Sequence, residues 1–187
     1  FGEDSFLLEG TDIADSLKEN KYDRLPASYK GFVREPVWNL SKNSAGLSIR
    51  FLSNSSVITA KWELLNNFSM NHMPDTGIKG IDLYFKNNDK WQYINTGIPR
   101  GFNNEYRLID NMDNELREYK IFLPLYDGIK NIEIGVDNLS FIQKPKKSER
   151  KPIIFYGTSI TQGACASRPG MAHTNIISSC LLYTSPS

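Results

Sequence analysis

The sequence predicts a mostly β protein whose last part changes to an α/β pattern. Over residues 1–143, short segments of β-branched and aromatic residues alternate with polar residues, and turn-rich stretches separate them. No convincing helical repeat interrupts this pattern, and a charged stretch at 144–151 ends it. We therefore predict an antiparallel, jelly-roll-like β-sandwich over 1–143, a linker over 144–151, and the start of an α/β unit over 152–179.

The N-terminal part contains segments with the composition and alternation of β-strands. They are residues 47–51, 57–62, 81–85, 91–94, 119–123 and 132–136. Each is expected to have one apolar face and one wet face. The stretches 53–56, 87–90 and 127–130 are rich in residues that tolerate tight turns. The segment 63–75 is ambiguous, because Trp62, Leu65 and Phe68 would also fit one face of a short helix.

Composition excludes several classes of function. The 187 residues carry 22 Lys+Arg against 21 Asp+Glu, which leaves no electrostatic footprint for nucleic acid or an anionic membrane. No run approaches the ~20 apolar residues that a membrane helix needs. Two cysteines and two histidines match no zinc or disulfide framework, so we predict no metal and no organic cofactor. The linker contains no aromatic residue and is interpreted as solvated spacer, with a basic nucleic-acid patch as the alternative.

The segment after the linker has the pattern of a nucleophile turn. Residues 153–156 form a continuous apolar run, which suits a strand buried in a parallel sheet. Gly157-Thr158-Ser159 follows, and this places a serine hydroxyl at the carboxyl edge of the sheet, where it could attack a carbonyl carbon. The same turn could instead bind phosphate, or cap a helix through Ser159 or Thr161. Residues 152–187 are too few for an α/β domain, so the predicted domain begins and is not finished.

Two blocks of sequence together resemble a bacterial branch of the SGNH (GDSL-type) hydrolases. The segment 157–163, Gly-Thr-Ser-Ile-Thr-Gln-Gly, with 165–170 and 172–175, resembles the first block of the hydrolase. The segment 80–84, Gly-Ile-Asp-Leu-Tyr, resembles the signature of the β-sandwich domain that precedes the hydrolase in this branch. Residues 22–26, 36–41 and 72–74, with Gly77, are also similar to these proteins.

The resemblance implies a flavodoxin-like α/β/α catalytic domain with a Ser-His-Asp triad. Ser159 matches the nucleophile, and its own N–H matches one oxyanion donor. The family's further donors, a Gly and an Asn, and the Asp and His of a D-x-x-H block match nothing in this sequence, so we expect the fragment itself to be inactive. Thr158 stands where many members carry Asp.

The predicted function is that of a serine ester hydrolase that deacylates, and most specifically deacetylates, carbohydrate esters. Its partner would be a small-molecule or glycan ester, without nucleic acid or a membrane span; no oligomeric state is predicted. The alternatives are a carbohydrate-binding β-sandwich module, or a lipase or thioesterase of the same family. A secreted or periplasmic location is expected. The chain begins at Phe1 without signal-peptide features, so either a targeting segment has been removed or the chain is a fragment.

Other chemistry-bearing residues receive structural interpretations. His173 does not match the D-x-x-H position, and a role as general base is its alternative. His72 is expected to be hydrogen-bonded locally, with a place at the domain interface as the alternative. Asp82 is predicted to be satisfied by a nearby turn rather than by the catalytic domain. We expect Cys165 to be a buried small hydrophobe and Arg168 a surface residue, with an anion clamp as the alternative. Trp38, Trp62 and Trp91 are expected in the core rather than on a sugar-stacking platform.

The last residues, 180–187, differ from what precedes them. They can be back-translated into part of a transposon-derived sequencing adaptor. We therefore expect a non-native tail, with a genuine helix end as the alternative.

Overall fold

The computed structural model describes residues 1–149, 151 and 153–180 as a sandwich of two antiparallel sheets with short helices at one end. The strands are β1 (Leu7–Glu9), β2 (Ser48–Ser53), β3 (Ile58–Leu64), β4 (Ile81–Asn87), β5 (Lys90–Gly97), β6 (Asn103–Ile109), β7 (Arg117–Phe122), β8 (Ile129–Val136) and β9 (Ile142–Gln143). The helices are α1 (Glu35–Ser41), α2 (Asp75–Ile78), α3 (Ser159–Gln162) and α4 (His173–Cys180). Single 3₁₀ turns occur at Glu3–Ser5, Asp15–Leu17, Ala27–Tyr29 and Pro169–Met171.

Sheet topology confirms the predicted antiparallel sandwich. The larger sheet has the strand order β1-β2-β7-β4-β5, with β9 also paired to β2, and the smaller sheet has the order β6-β3-β8. In the centre of the larger sheet, Ile121 of β7 lies opposite Ile49 of β2 and Leu83 of β4. Because side chains alternate along a strand, this register sends all three side chains to the same face.

The hydrophobic core fills the space between the two sheets. The larger sheet contributes Ile49, Phe51, Leu83 and Ile121, and the smaller sheet contributes Ile58, Ala60, Trp62, Ile132 and Ile134. Each of these side chains is at most 2% exposed. Burial of a large apolar side chain contributes about 1.5–3 kcal/mol to folding, so this layer is the main source of the sandwich's stability.

All of the strands predicted from alternation are present, as β2, β3, β4, β5, β7 and β8. Strands β1, β6 and β9 and helix α1 were not predicted. In the ambiguous segment 63–75, β3 runs on to Leu64, and the helical turn α2 begins only at Asp75. Helix α1 has Pro36 in its first turn, where the missing N–H costs no hydrogen bond.

The expectation of one wet face per strand is wrong for β2 and β7. Arg50 and Lys120 lie on the face opposite the core, yet they are only 9% and 5% exposed. Glu118 lies 2.8 Å from Arg50, and Glu9 lies 3.5 Å from Lys120. The predicted linker also reaches this face, since Nη2 of Arg50 donates a hydrogen bond to the carbonyl of Lys146 at 2.6 Å. Charged groups are therefore buried on the outer face by pairing with one another.

The expectation of a buried strand at 153–156 is wrong in this structure. Ile153, Ile154, Phe155 and Tyr156 are exposed and lie in no strand. A parallel strand obtains its hydrogen bonds and the cover of both its faces from neighbouring strands and helices, and in the described part of the chain no strand lies beside this segment. Further along the chain, a 3₁₀ turn at Pro169–Met171 precedes α4, which begins at His173 and ends at Cys180. The rest of the predicted tail, 181–187, lies outside the described residues.

None of the helices in the described part of the chain has the length and apolar composition that a bilayer crossing requires.

The carboxylate of Asp137 connects two turns at one end of the sandwich. It accepts hydrogen bonds from the Ser55 hydroxyl at 2.8 Å and the Ser56 N–H at 3.2 Å on one turn, and from the Ser140 hydroxyl at 2.8 Å and the Leu139 N–H at 3.1 Å on the other. These bonds, chiefly those from Ser55 and Ser140, lower the pKa of Asp137 from 3.8 to about 2.

This pKa predicts the pH dependence of stability. Between pH 3.8 and about 2 the unfolded chain binds more protons at this site than the folded chain. The contribution of Asp137 to the free energy of unfolding is therefore fully present above pH 3.8 and is lost as the pH falls to about 2. Asp137→Asn should be less stable near neutral pH and should lose less further stability across this window. Urea unfolding at several pH values measures both effects, and parallel pH curves for variant and parent would contradict the assignment.

Candidate active site

Ser159 is the first residue of α3, a single helical turn. The preceding Thr158 has extended backbone angles, φ −92° and ψ −157°, so the chain changes direction immediately before the serine. Ser159 is exposed. The first N–H groups of a helix have no acceptor within the helix, so backbone donors lie beside this hydroxyl. The hydroxyl and these donors are the groups that nucleophilic attack on an acyl carbon requires.

Gly157 is required by a close approach. A Cβ atom at this position would overlap the hydroxyl oxygen of Thr161, one turn further along the chain. Glycine therefore allows the segment before α3 to pass directly against the helix.

Residues of the sandwich bind α3 through hydrogen bonds. Tyr126, which follows β7, donates its hydroxyl hydrogen to the backbone carbonyl of Ser159 at 3.0 Å. The side-chain amide of Gln162 donates to the carbonyl of Leu125 at 3.0 Å. Arg24 lies 3.5 Å from the amide oxygen of Gln162 and is itself fixed by a 2.8 Å bond to the carbonyl of Asn43.

Asp82 of β4 binds the chain downstream of α3. Its carboxylate is fully buried. One oxygen accepts a hydrogen bond from the Thr96 hydroxyl at 2.6 Å, and the other accepts from Nη1 of Arg168 and from the N–H of Gly170, both at 2.7 Å. The expectation that a nearby turn satisfies Asp82 is therefore wrong. The segment 168–170 supplies two of the three donors.

Arg168 is held by aromatic residues as well as by charge. Nη1 also donates to the hydroxyl of Tyr84 at 2.8 Å, and the guanidinium carbon lies 3.9 Å from the centre of the Tyr93 ring. Arg168 is thus half-buried and clamps a protein carboxylate, which corrects its interpretation as a surface residue. Because the only hydroxyl hydrogen of Thr96 is donated to Asp82, the Tyr93 hydroxyl must donate in its 2.9 Å contact with Thr96.

Burial raises the pKa of Asp82 above its ordinary value. The hydrogen bonds from Thr96, Arg168 and Gly170 and the charge of Arg168 act in the opposite direction. Burial of an unpaired carboxylate would lower the stability of the folded protein. The ion pair with Arg168 compensates for this cost and allows Asp82 to be charged while buried.

Close packing reinforces these contacts between the sandwich and the segment 164–175. A Cβ atom on Gly170 would overlap the Tyr84 hydroxyl, and one on Gly77 would overlap the carbonyl of Ala166. Thr76 donates to the carbonyl of Ser167 at 2.6 Å. Ala172 is buried in a small apolar cluster with residues of the sandwich end: Ala45, Met73, Ile78, Leu125 and Tyr126.

No histidine contacts Ser159 in the described residues. His72 is exposed and lies 2.9 Å from the side chain of Asn71, as the local interpretation predicts. His173 is the first residue of α4 and is exposed, and its ring lies 6.3 Å from that of Phe155.

Among residues 1–149, 151 and 153–180, no three His, Cys, Asp or Glu side chains are grouped as a metal site would require.

The remaining candidates divide into one correction and one confirmation. Cys165 is exposed, not buried as expected. Trp38, Trp62 and Trp91 are all at least 92% buried, so the expectation of buried side chains is confirmed; Trp62 lies in the core between the sheets, and Trp91 packs with Tyr84 and Phe122 in a separate cluster. The contacts of Tyr126 and Gln162 were not predicted. Their residue types carry no signal of a contact with α3, which only the folded chain brings beside them.

Two family models match the chain. Residues 3–142 match the family model described as GxDLY, the N-terminus of Esterase_SGNH_hydro-type, and residues 150–184 match the GDSL-like Lipase/Acylhydrolase family. No curated protein sequence matches the chain.

Solved structures that are similar to the chain include the following two. One is described as a GDSL-like lipase from Bacteroides ovatus, with 38% identity, a TM-score of 0.89, and coverage of 96% of this chain and 52% of that one. The other is the salicylyl-acyltransferase SsfX3 from a tetracycline biosynthetic pathway, with 10% identity, a TM-score of 0.54, and coverage of 77% and 40%. The second similarity shows the fold alone. The chain thus spans about half the length of the first structure.

The sandwich lies within the first matched range, and the segment that contains Ser159 lies within the second. The chain belongs to the GxDLY family, the N-terminal part of SGNH-hydrolase-type esterases of the GDSL-like lipase/acylhydrolase group.

Proposed function

We propose that the intact protein is a serine ester hydrolase with Ser159 as its nucleophile. The observation that carries the proposal is an exposed serine hydroxyl at the first residue of a helical turn, in a chain of the GDSL-like acylhydrolase group. In this mechanism the hydroxyl gives its proton to the general base as it attacks the ester carbonyl, and the base returns that proton to the alcohol as it leaves the tetrahedral intermediate. Water then hydrolyses the acyl-enzyme.

The backbone of the turn has a defined part in this mechanism. As the carbonyl oxygen gains negative charge, the N–H of Ser159 is one donor that can stabilise it. The general base is a histidine oriented by an aspartate, and we place both in a part of the intact protein that lies beyond this fragment. His173 is not assigned this role, because its ring contacts Phe155 and forms no hydrogen bond with Ser159 among the described residues.

The substrate class is the finer part of the proposal. We propose short acyl esters of carbohydrates, acetyl esters above all, on the resemblance of the segments 157–163 and 80–84 to a bacterial branch of the family. The proposed location is secreted or periplasmic. No cofactor enters the mechanism, because the nucleophile, the base and the oxyanion donors are all supplied by the protein.

A panel of esters tests the reaction and the substrate class together. The intact protein is assayed with p-nitrophenyl esters of increasing chain length, an acyl thioester and an O-acetylated oligosaccharide. We expect kcat/KM to be highest for acetyl esters, acetate to be released from the oligosaccharide, and the 187-residue chain to be inactive because it lacks the base. A preference for long acyl chains or for the thioester would contradict the substrate class. Failure to hydrolyse any ester, or full activity of the 187-residue chain, would contradict the mechanism.

A further inference from the structure

The position of α3 cannot come from the helix itself. A four-residue helical turn is unstable in isolation, because nucleation of a helix costs more than one turn returns. The residues before it, 153–156, are exposed and unpaired in the described structure. In the described residues, α3 forms hydrogen bonds with Tyr126, Leu125 and Arg24 of the sandwich, and these bonds hold Ser159 against it.

The hydrogen bond from Tyr126 fixes the position of α3 on the sandwich, and the helical turn does not need it for its own hydrogen bonding. The carbonyl of Ser159 already accepts backbone hydrogen bonds from Gly163 at 3.1 Å and Ala164 at 3.0 Å. A third donor is not needed to satisfy this oxygen. What the Tyr126 hydroxyl provides is a fixed point on the sandwich to which the carbonyl of the nucleophile residue is bound.

Tyr126 is itself held rigidly. Its side chain is 7% exposed and packs with Met73, Ile78 and Leu125, and its N–H donates to the carbonyl of Ile78 at 3.1 Å. Burial raises the pKa of its hydroxyl above the ordinary value, so the group keeps its hydrogen and remains a donor at neutral pH. A rigid donor restricts the position of its acceptor more closely than a mobile one would.

A second anchor fixes the chain nine residues beyond Ser159. Arg168 is bound to Asp82, and the Ser167 carbonyl is bound to Thr76. The segment that carries the nucleophile is thus attached to the sandwich at the turn itself and again downstream of it.

We propose that the β-sandwich is the positioning domain of the active site, and that Tyr126 is the positioning residue that sets the place of Ser159 through its backbone carbonyl. This inference rests on the proposed function. It gives the sandwich a role in positioning the nucleophile, whereas a glycan-binding module would only bind the substrate. Tyr126 touches no reacting atom and exchanges no proton with substrate, so its effect must pass through geometry alone.

The test is Tyr126→Phe in the intact protein, which removes one oxygen and keeps the ring in the core. A displacement of the nucleophile of about 1 Å can cost ~100-fold in rate, so we expect kcat on the best ester of the panel to fall about 10- to 100-fold. KM should change by less than about twofold, and the pH profile of kcat should keep its midpoint. The matched control is Tyr119→Phe, which removes a fully buried hydroxyl that contacts Met112. It should leave kcat unchanged.

Several results would overturn the inference. They are an unchanged kcat in Tyr126→Phe, a rise in KM alone, or an equal loss of kcat in Tyr119→Phe. If Tyr126→Phe does not fold, Gln162→Met removes the hydrogen bond between α3 and the carbonyl of Leu125 and must show the same loss of kcat without a change in KM.

Ser159→Ala separates the two proposals. If it retains turnover, the proposed function fails; if it is inactive while Tyr126→Phe is fully active, only the positioning role fails.

Discussion

Ser159→Ala in the intact protein is expected to lower kcat for ester hydrolysis by roughly 10⁴- to 10⁶-fold. The substitution removes the atom that would bond to the acyl carbon, while the oxyanion donors and the substrate site remain. KM should change little, because the hydroxyl gains its bond only in the reaction. Melting temperature should also change little, since Ser159 is exposed. Initial rates over a range of ester concentrations measure both constants.

A serine in the same segment provides the control for this experiment. Ser167 is also exposed, and its contact with the sandwich is made by its backbone carbonyl. Ser167→Ala should therefore keep the activity of the parent within about twofold. Comparable activity in the two alanine variants would refute Ser159 as the nucleophile.

Asp82→Asn is expected to lower the free energy of unfolding by about 2–4 kcal/mol. A broken buried ion pair typically costs ~3–5 kcal/mol, and the lower figure applies because the side chain of Arg168 is 22% exposed and can regain some water. The asparagine has one oxygen for Thr96, and its amide hydrogens then face Arg168 and the N–H of Gly170, which are donors too. Donors that face each other in a buried site leave hydrogen bonds unmade.

Urea unfolding of the chain, followed by tryptophan fluorescence, measures this loss. The matched control is Asp110→Asn, which removes an exposed carboxylate 3.5 Å from Arg107 and should cost less than ~1 kcal/mol. Arg168→Met completes a double-mutant cycle, in which the loss from Asp82→Asn should shrink once the guanidinium is absent. Equal effects of the Asp82 and Asp110 substitutions would contradict the importance of the buried pair.

The sandwich was predictable from sequence where alternation and burial agree. In β4, Ile81 and Leu83 point into the core, and the pattern of β-branched and aromatic residues predicts the strand directly. Strand β6 was missed because it begins with Asn103-Asn104-Glu105. Asn104 is buried there by accepting hydrogen bonds from the N–H groups of Arg100 and Gly101, which an apolar pattern cannot show.

Other features depend on neighbours that composition does not reveal. The apolar run 153–156 has the composition of a buried strand, but a strand forms only beside a partner, and none lies there in the described structure. Helix α1 has a helix-start signal in Pro36, but its seven residues are too few for a clear helical repeat.

The support of the candidate site was the least predictable part. The role of Ser159 stays a prediction, which rests on the local sequence Gly-Thr-Ser together with the resemblance of 157–163 to the first hydrolase block. The partner of Asp82 lies 86 residues away along the chain. Alternation places Asp82 on a strand and gives no information about which donor faces it, so the prediction chose a local turn. Only the packing of α2, β4 and the segment 164–172 reveals Arg168 as the partner.

The most direct measurement of the central claim is the site at which an organophosphonate reacts. A fluorophosphonate ester is incubated with the intact protein, and the modified peptide is identified by mass spectrometry. We predict that one adduct forms, that it is on Ser159 with loss of fluoride, and that ester hydrolysis disappears in proportion to labelling. An adduct at another residue that tracks the loss of activity, or full hydrolysis by protein fully labelled at Ser159, would contradict the claim.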